Sequence, residues 1–340
     1  MNIIERNFFR LLRAGVYQQQ EDIEPMSAWK WQQEFLLAQR QGLAPLLFDG
    51  VQLCNDQFFM RLTDEITSQW LTTTTNAELR YQQACKNVAE LLAILSQQQL
   101  RPILLEPWTT AILYPQPAHR HIPTIRIFFP YQTQGKKADE WAVANGSNAT
   151  SACKQLLRYQ WRGMNVEHRH NIQHLNNKLN NYTLQKLIED EWLEGGTSHV
   201  FIGGQRMETL APTMALLIAL LNIIKTSLSE GLNLRQLVDL GILLRKQGQL
   251  VDFVKLQGWI ERLRFTRITQ HIGLILTGLL GFSPDEVPFM KPEAANADRL
   301  IGDLLKEGPH SNARFIRYCP GESLSSVAAS ITHSLGSVEE

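Results

Sequence analysis

Within HRHIPTIRIFF, residues 119–129, a mostly apolar strand candidate carries Thr124 and Arg126 two positions apart. Strand side chains alternate between faces, so Ile125, Ile127 and Phe129 point one way and Thr124 and Arg126 the other. A guanidinium stays protonated and cannot ligate a metal; its chemistry is the binding of carboxylates and phosphates. Arg120 adds a second cation just upstream, so Arg120 and Arg126 together suggest an anion site, with His119 and His121 bracketing Arg120. A second polar cluster is EHRHNIQH, where His168 and His170 share one face and Glu167 and Arg169 the other, with His174 following. Paired histidines could begin a zinc site, but a closed site needs more ligands than this pattern supplies. Polar strand histidines, and a strand carboxylate at Glu167 paired with a nearby base, are the expectation.

Other chemistries find little support. No Ser/His/Asp or Cys/His motif and no GxGxxG occurs, and Gly203-Gly204 lacks the lysine and helix of a P-loop. Trp29, Trp31, Trp108 and Trp141 could stack a base, but aromatics in helical segments more often anchor a core or an interface. Arg235 and Asp239 lie one helical turn apart and read as a surface ion pair.

The elements that must position these residues follow from periodicity. Residues 1–100 read as helical: NFFRLLRAG stopping at Gly15, then SAWKWQQEFLLAQRQG between an N-cap at Ser27 and a stop at Gly42, then 56–75 and 77–99. RPILLEP (101–107) and HIPTIRIFFP (121–130) read as strands, with a short helix in WTTAILYP between them. KKADEWAVANG suits a helix, KQLLRYQW and MNVEHRHNI a hairpin about Arg162-Gly163, and HVFIGG and QRMETL a second about Gly203-Gly204. From Pro212 to about residue 307 helices return, the first nearly apolar all round and so buried, and the tail is small and polar. The expected fold class is α+β: a small mixed sheet flanked by helical regions. The regions are 1–100 (helical), 101–210 (α/β core) and 211–340 (helical, with a fraying tail), expected to form one compact unit.

Composition sets outer limits. The 340 residues are 44% apolar, enough for a large core, and carry 33 basic and 33 acidic residues. Without a basic excess, no nucleic-acid partner is expected. Cys54, Cys85, Cys153 and Cys319 have no metal-like or redox-like spacing, so reduced thiols are expected. The first residues resemble an amphipathic helix rather than a signal peptide. The apolar run at 214–224 falls short of the ~20 residues of a membrane span. A cytoplasmic protein with no membrane association is therefore expected, and the Asn-x-Ser/Thr triplets at Asn145, Asn148 and Asn181 carry no glycosylation meaning.

Taken together, several segments resemble an uncharacterised bacterial nucleotidyltransferase family with the DNA polymerase beta-like fold. They are FFRLLRAGVY, AWKWQQEFLLAQRQGLAPLLFDGV, RPILLEPWTTAILYPQPAHRHIPTIRIFF, WRGMNVEHRH and LAPTMALLIALLNIIKTSLSEGLNLRQLVDL, and the likeness runs over about residues 5–325. The resemblance implies an Asp-x-Asp pair on one strand and a third carboxylate on a neighbour. These would hold two divalent metals that orient an NTP for in-line attack at its α-phosphorus. Magnesium suits such oxygen ligands. In this chain the two aspartate positions fall on Thr124 and Arg126, the preceding glycine on Pro123, and a Lys-Gly step on Glu106-Pro107. Two histidine positions of the C-terminal helix fall on Asn222 and Thr226. Arg120, Tyr114-Pro115 and Glu167 match, Glu167 as the third carboxylate.

With a cation in place of a carboxylate, metal-dependent transfer is expected to be lost and no metal or cofactor is expected. Arg126 is expected to pair with Glu167 and replace the missing metal's charge. The implied function is a pseudoenzyme binding a protein partner or an anionic ligand such as a nucleotide through Arg120, Arg126 and Glu106. The alternatives are an active magnesium enzyme using Glu167 with other carboxylates, for example Glu106, and a purely structural interaction module.

Overall fold

A computed structural model describes residues 1–57, 60, 62–153, 155–229 and 232–290. The chain divides into two compact units rather than the single one expected. Of the described residues, one unit comprises those in 1–68, 173–195 and 212–290; the other comprises those in 69–172 and 196–211. The expected fraying tail lies outside the described residues.

The first unit is helical. Helix α1 (Ile3–Tyr17) opens with a capping box in which Asn2 and Glu5 bond each other's backbone N–H. It does not stop at Gly15. That glycine serves close approach instead, since a Cβ there would sit 2.0 Å from the Leu46 carbonyl oxygen of α3 (Ala44–Leu53). Gly50 makes the reciprocal approach to Leu11 of α1. Helix α2 (Ala28–Gln41) ends as expected at Gly42, whose φ of 66° is the left-handed conformation that glycine adopts freely. Ser27 occupies its N-cap position, but its side chain makes no capping bond.

The remaining α-helices of this unit among the described residues are α7 (Lys178–Leu193), α8 (Pro212–Ser229), α9 (Leu234–Gln247), α10 (Phe253–Arg262) and α11 (Thr266–Leu279). Residues Leu216–Leu221 of α8 are all buried, as its apolar circumference requires. Asp239 of α9 is buried too, so it does not lie at the surface as expected of a pair with Arg235. Helix α7 begins at Asn177, whose Oδ1 accepts from the N–H of Leu179 and of Asn180, each at 3.0 Å. Asn177→Ala should lower stability in urea denaturation by about 1 kcal/mol, the usual worth of an N-cap.

The second unit carries a seven-stranded mixed sheet in the order β3-β4-β5-β2-β1-β7-β6. The strands are β1 (Ile103–Leu104), β2 (Thr124–Phe128), β3 (Ser147–Cys153), β4 (Leu156–Trp161), β5 (Met164–Arg169), β6 (Thr197–Ile202) and β7 (Gln205–Leu210). The expected hairpins form with the expected turns: Arg162-Gly163 and Gly203-Gly204 all have positive φ, as two-residue turns of this hand require. Strand β1 is shorter than the stretch 101–107 that reads as a strand, and β3 has no counterpart in the sequence reading.

One sheet face is packed. Val88, Leu91, Leu92 and Leu95 of helix α4 (Asp64–Gln97) and Ala138 and Ala142 of α6 (Gln132–Asn145) share a core with Ile125, Ile127, Phe129 and Val166. The two helices expected over 56–75 and 77–99 are this one α4. In its threonine run, the Thr73 hydroxyl donates back to the Gln69 carbonyl at 2.9 Å, whereas the buried Thr74 hydroxyl has no hydrogen-bond partner among the described residues. Short helix α5 (Trp108–Ala111) follows β1.

A carboxylate ringed by guanidiniums on the face of the sheet away from its core

Strand alternation commits Ile125, Ile127 and Phe129 to the core and so turns Thr124 and Arg126 to the other face. Register then decides which side chains meet. Strands β2 and β5 are parallel neighbours that set Arg126 opposite Glu167 and Thr124 opposite Asn165. Strands β5 and β4 are antiparallel and set Glu167 opposite Arg158. Arg126, Glu167 and Arg158 therefore form one row across three strands. Arg169, two residues beyond Glu167 on the same face, folds back onto it.

The contacts are short and charge-assisted. Arg169 donates to Glu167 Oε2 through Nη2 at 2.6 Å and Nε at 3.1 Å, and Arg158 Nε donates to Oε1 at 3.2 Å. Arg126 Nε lies 3.3 Å from Oε2, within ion-pair range. It is misaligned for a hydrogen bond, however, and is a buried donor with no hydrogen-bond partner among the described residues. Exposure falls steeply across the cluster: 57% for the Arg158 side chain, 32% for Arg126 and 11% for Glu167.

Electrostatics follow from that packing. Burial alone would raise the Glu167 carboxyl, but Arg169, Arg126 and Arg158 outweigh it and hold the group below the ordinary carboxylate range. Burial pulls the Arg126 guanidinium down from its usual value. Arg169 and Arg120 add to that by like-charge repulsion, while Glu167 and Glu106 oppose it. Glu106 and Arg120 thus lie close enough to act on Arg126. Arg120 is buried and donates to the backbone carbonyl of His121.

The structure brings Arg126 and Glu167 together as the sequence reading expects, with Glu106 and Arg120 acting on Arg126. Thr124 shares the face one row along. Arg158 and Arg169 were missed as partners of Glu167. The signal for Arg158 was present: counting back from the two-residue turn at Arg162-Gly163 pairs position 158 with 167.

His168, His170 and His119 each pair with a carboxylate. His168 is fully buried on the core face. Its Nδ1 donates to Asp139 Oδ1 (3.2 Å), so its Nε2 accepts from the Tyr159 hydroxyl (2.9 Å). Burial pulls its pKa down, which keeps the ring neutral. His170 Nε2 bonds the other oxygen of Asp139 at 2.7 Å. His119 contacts Glu78 at 3.0 Å. Among the described residues no group of three or more His, Cys, Asp or Glu side chains is placed to hold a metal ion.

Trp31 and Trp108 are buried and cannot stack a ligand, whereas Trp29 is exposed. Cys54 and Cys85 are free thiols. In the helical unit, Asn222 accepts from Gln173 and Thr226 from Gln236. No helix among the described residues is long and apolar enough to cross a membrane.

Fold and site together define an α+β protein with a mixed sheet and helices, whose non-core sheet face carries a carboxylate held by arginines. The chain belongs to the uncharacterised nucleotidyltransferase family, whose model matches residues 27–281. Among solved structures it is similar to an antigenic nucleotidyltransferase-like protein from Paracoccidioides brasiliensis. That likeness has 13% identity and a TM-score of 0.35, and covers 61% of this chain and 91% of the other. No curated protein matches.

Proposed function

We propose that this chain is a cytoplasmic member of the nucleotidyltransferase family that has lost metal-dependent catalysis and binds an anionic ligand, such as the phosphates of a nucleotide. Arg120, Arg126 and the arginines around Glu167 form the binding face. One observation carries the reading: Arg126, at a position where the family resemblance places a metal-binding aspartate, lies 3.3 Å from Glu167, the carboxylate matching the third ligand. A fixed cation there supplies the charge that a metal would bring, and both Glu167 oxygens already accept from guanidinium groups. Two-metal chemistry needs those oxygens free. The reading with an active magnesium enzyme would need Glu167 to converge with other carboxylates such as Glu106, and the arginines that hold Glu167 disfavour it.

Calorimetry and thermal shift with ATP, GTP, CTP and UTP, each with magnesium and with EDTA, test the proposal. The natural chain is expected to bind at least one NTP equally well in both conditions. The double variant Thr124→Asp with Arg126→Asp is expected to make binding magnesium-dependent. Magnesium-dependent NTP binding by the natural chain, or nucleotidyl transfer to any acceptor, would overturn it.

A further inference from the structure

The guanidiniums of Arg126, Arg158 and Arg169 all address one carboxylate. Each guanidinium carries five N–H donors, while a carboxylate offers about four acceptor sites. The cluster is therefore rich in donors, and the buried Nε of Arg126 has no hydrogen-bond partner among the described residues. Counting Arg120 and Glu106, which also act on Arg126, four cations face two anions, an excess of positive charge that favours a further anion. Half-exposed Arg158 gives that anion a way in at the edge of the cluster. An oxyanion that reaches Arg126, Arg158 and Arg169 shares guanidiniums that Glu167 already neutralises in part, and its charge repels that of Glu167.

We infer that Glu167 is a resident counter-anion: it occupies the guanidiniums of the site, competes with an incoming phosphate-type oxyanion, and so limits how tightly the site binds it. This rests on the anion-binding reading above and adds a sign to it. If Glu167 were a metal ligand, removing its charge would weaken triphosphate binding in magnesium. As a competitor, removing its charge strengthens triphosphate binding without any metal.

The probe is inorganic tripolyphosphate in EDTA, titrated calorimetrically into the full chain and two variants. Glu167→Gln keeps the shape and removes the charge. Glu167→Gln combined with Arg169→Gln also removes one guanidinium, so it restores the natural net charge and relieves the crowding that could keep the single variant from folding. The single variant is expected to bind about tenfold more tightly than the natural chain, the factor equivalent to the lower bound for one hydrogen bond to a charged group. The double variant is expected to bind more tightly than the natural chain by a smaller factor, which separates release of guanidiniums from a change in overall charge.

Natural-chain binding with no gain in either folded variant overturns the inference and leaves the anion-binding reading standing. If the single variant does not fold, the double variant decides by the same comparison. No tripolyphosphate binding by any of the proteins overturns both.

Discussion

Glu167→Ala should destabilise the sheet unit by about 3 kcal/mol in urea denaturation, the scale of removing one partner from a buried ion cluster. The cause is what it leaves behind. Arg126 is mostly covered, and without the carboxylate it would face Arg169 and Arg158 with no counter-charge in the row. Much of the loss should return in the double variant Glu167→Ala with Arg126→Met, because an apolar side chain on β2 needs no partner. A pair of independent sites would instead give additive losses, so the double-mutant cycle separates the two accounts.

The same carboxyl gives a pH signature. Its folded pKa lies below the ordinary 4.5, so folding is favoured by Glu167 above that value and loses the contribution as pH falls through the folded pKa. The natural chain should therefore weaken in acid below about pH 4.5, and Glu167→Gln should remove this part of the slope.

What could be read from the sequence depended on how local the determining physics is. Both hairpins were legible because a two-residue turn with positive φ has a sequence mark, glycine, and fixes register on both sides. That register carries the row Arg126–Glu167–Arg158 as far as β5 and β4. The parallel pairing of β2 with β5 has no such mark, and only the family likeness pointed to it. Edge strand β3, SNATSAC, was illegible because it has no apolar alternation and pairs with β4 through two irregularities of register. Asp139 was illegible as the partner of His168 and His170, since a helix residue 29 and 31 positions away meets a strand only through tertiary packing. Gly15 was misread for a related reason. A glycine late in an apolar helix reads as a stop, and only the neighbouring α3 shows that its missing Cβ is what lets two backbones touch.

Glu34 belongs to the same class of hidden residues and leads to an effect of opposite sign. It lies on the stripe of α2 shared with Trp31, Phe35 and Ala38, so the helix period buries it although its type belongs at the surface. It is fully buried, and neither carboxyl oxygen has a hydrogen-bond partner among the described residues. Burial therefore drives its pKa well above the ordinary 4.5 and favours the protonated form in the fold. An unsatisfied buried polar group costs about 1–3 kcal/mol. Glu34→Met keeps the length and helix propensity of the side chain and removes the polar atoms, so it should stabilise the helical unit by about that amount.

The sign with pH runs against that of Glu167. In the unfolded chain Glu34 ionises near 4.5 while the folded chain holds its proton, so the natural protein loses stability as pH rises from 4.5 toward the folded pKa. The gain from Glu34→Met should accordingly be larger at pH 8 than at pH 5, measured as the shift in urea midpoint. A loss of stability in Glu34→Met, or a gain independent of pH, would mean that the carboxyl is paired and charged in the native protein.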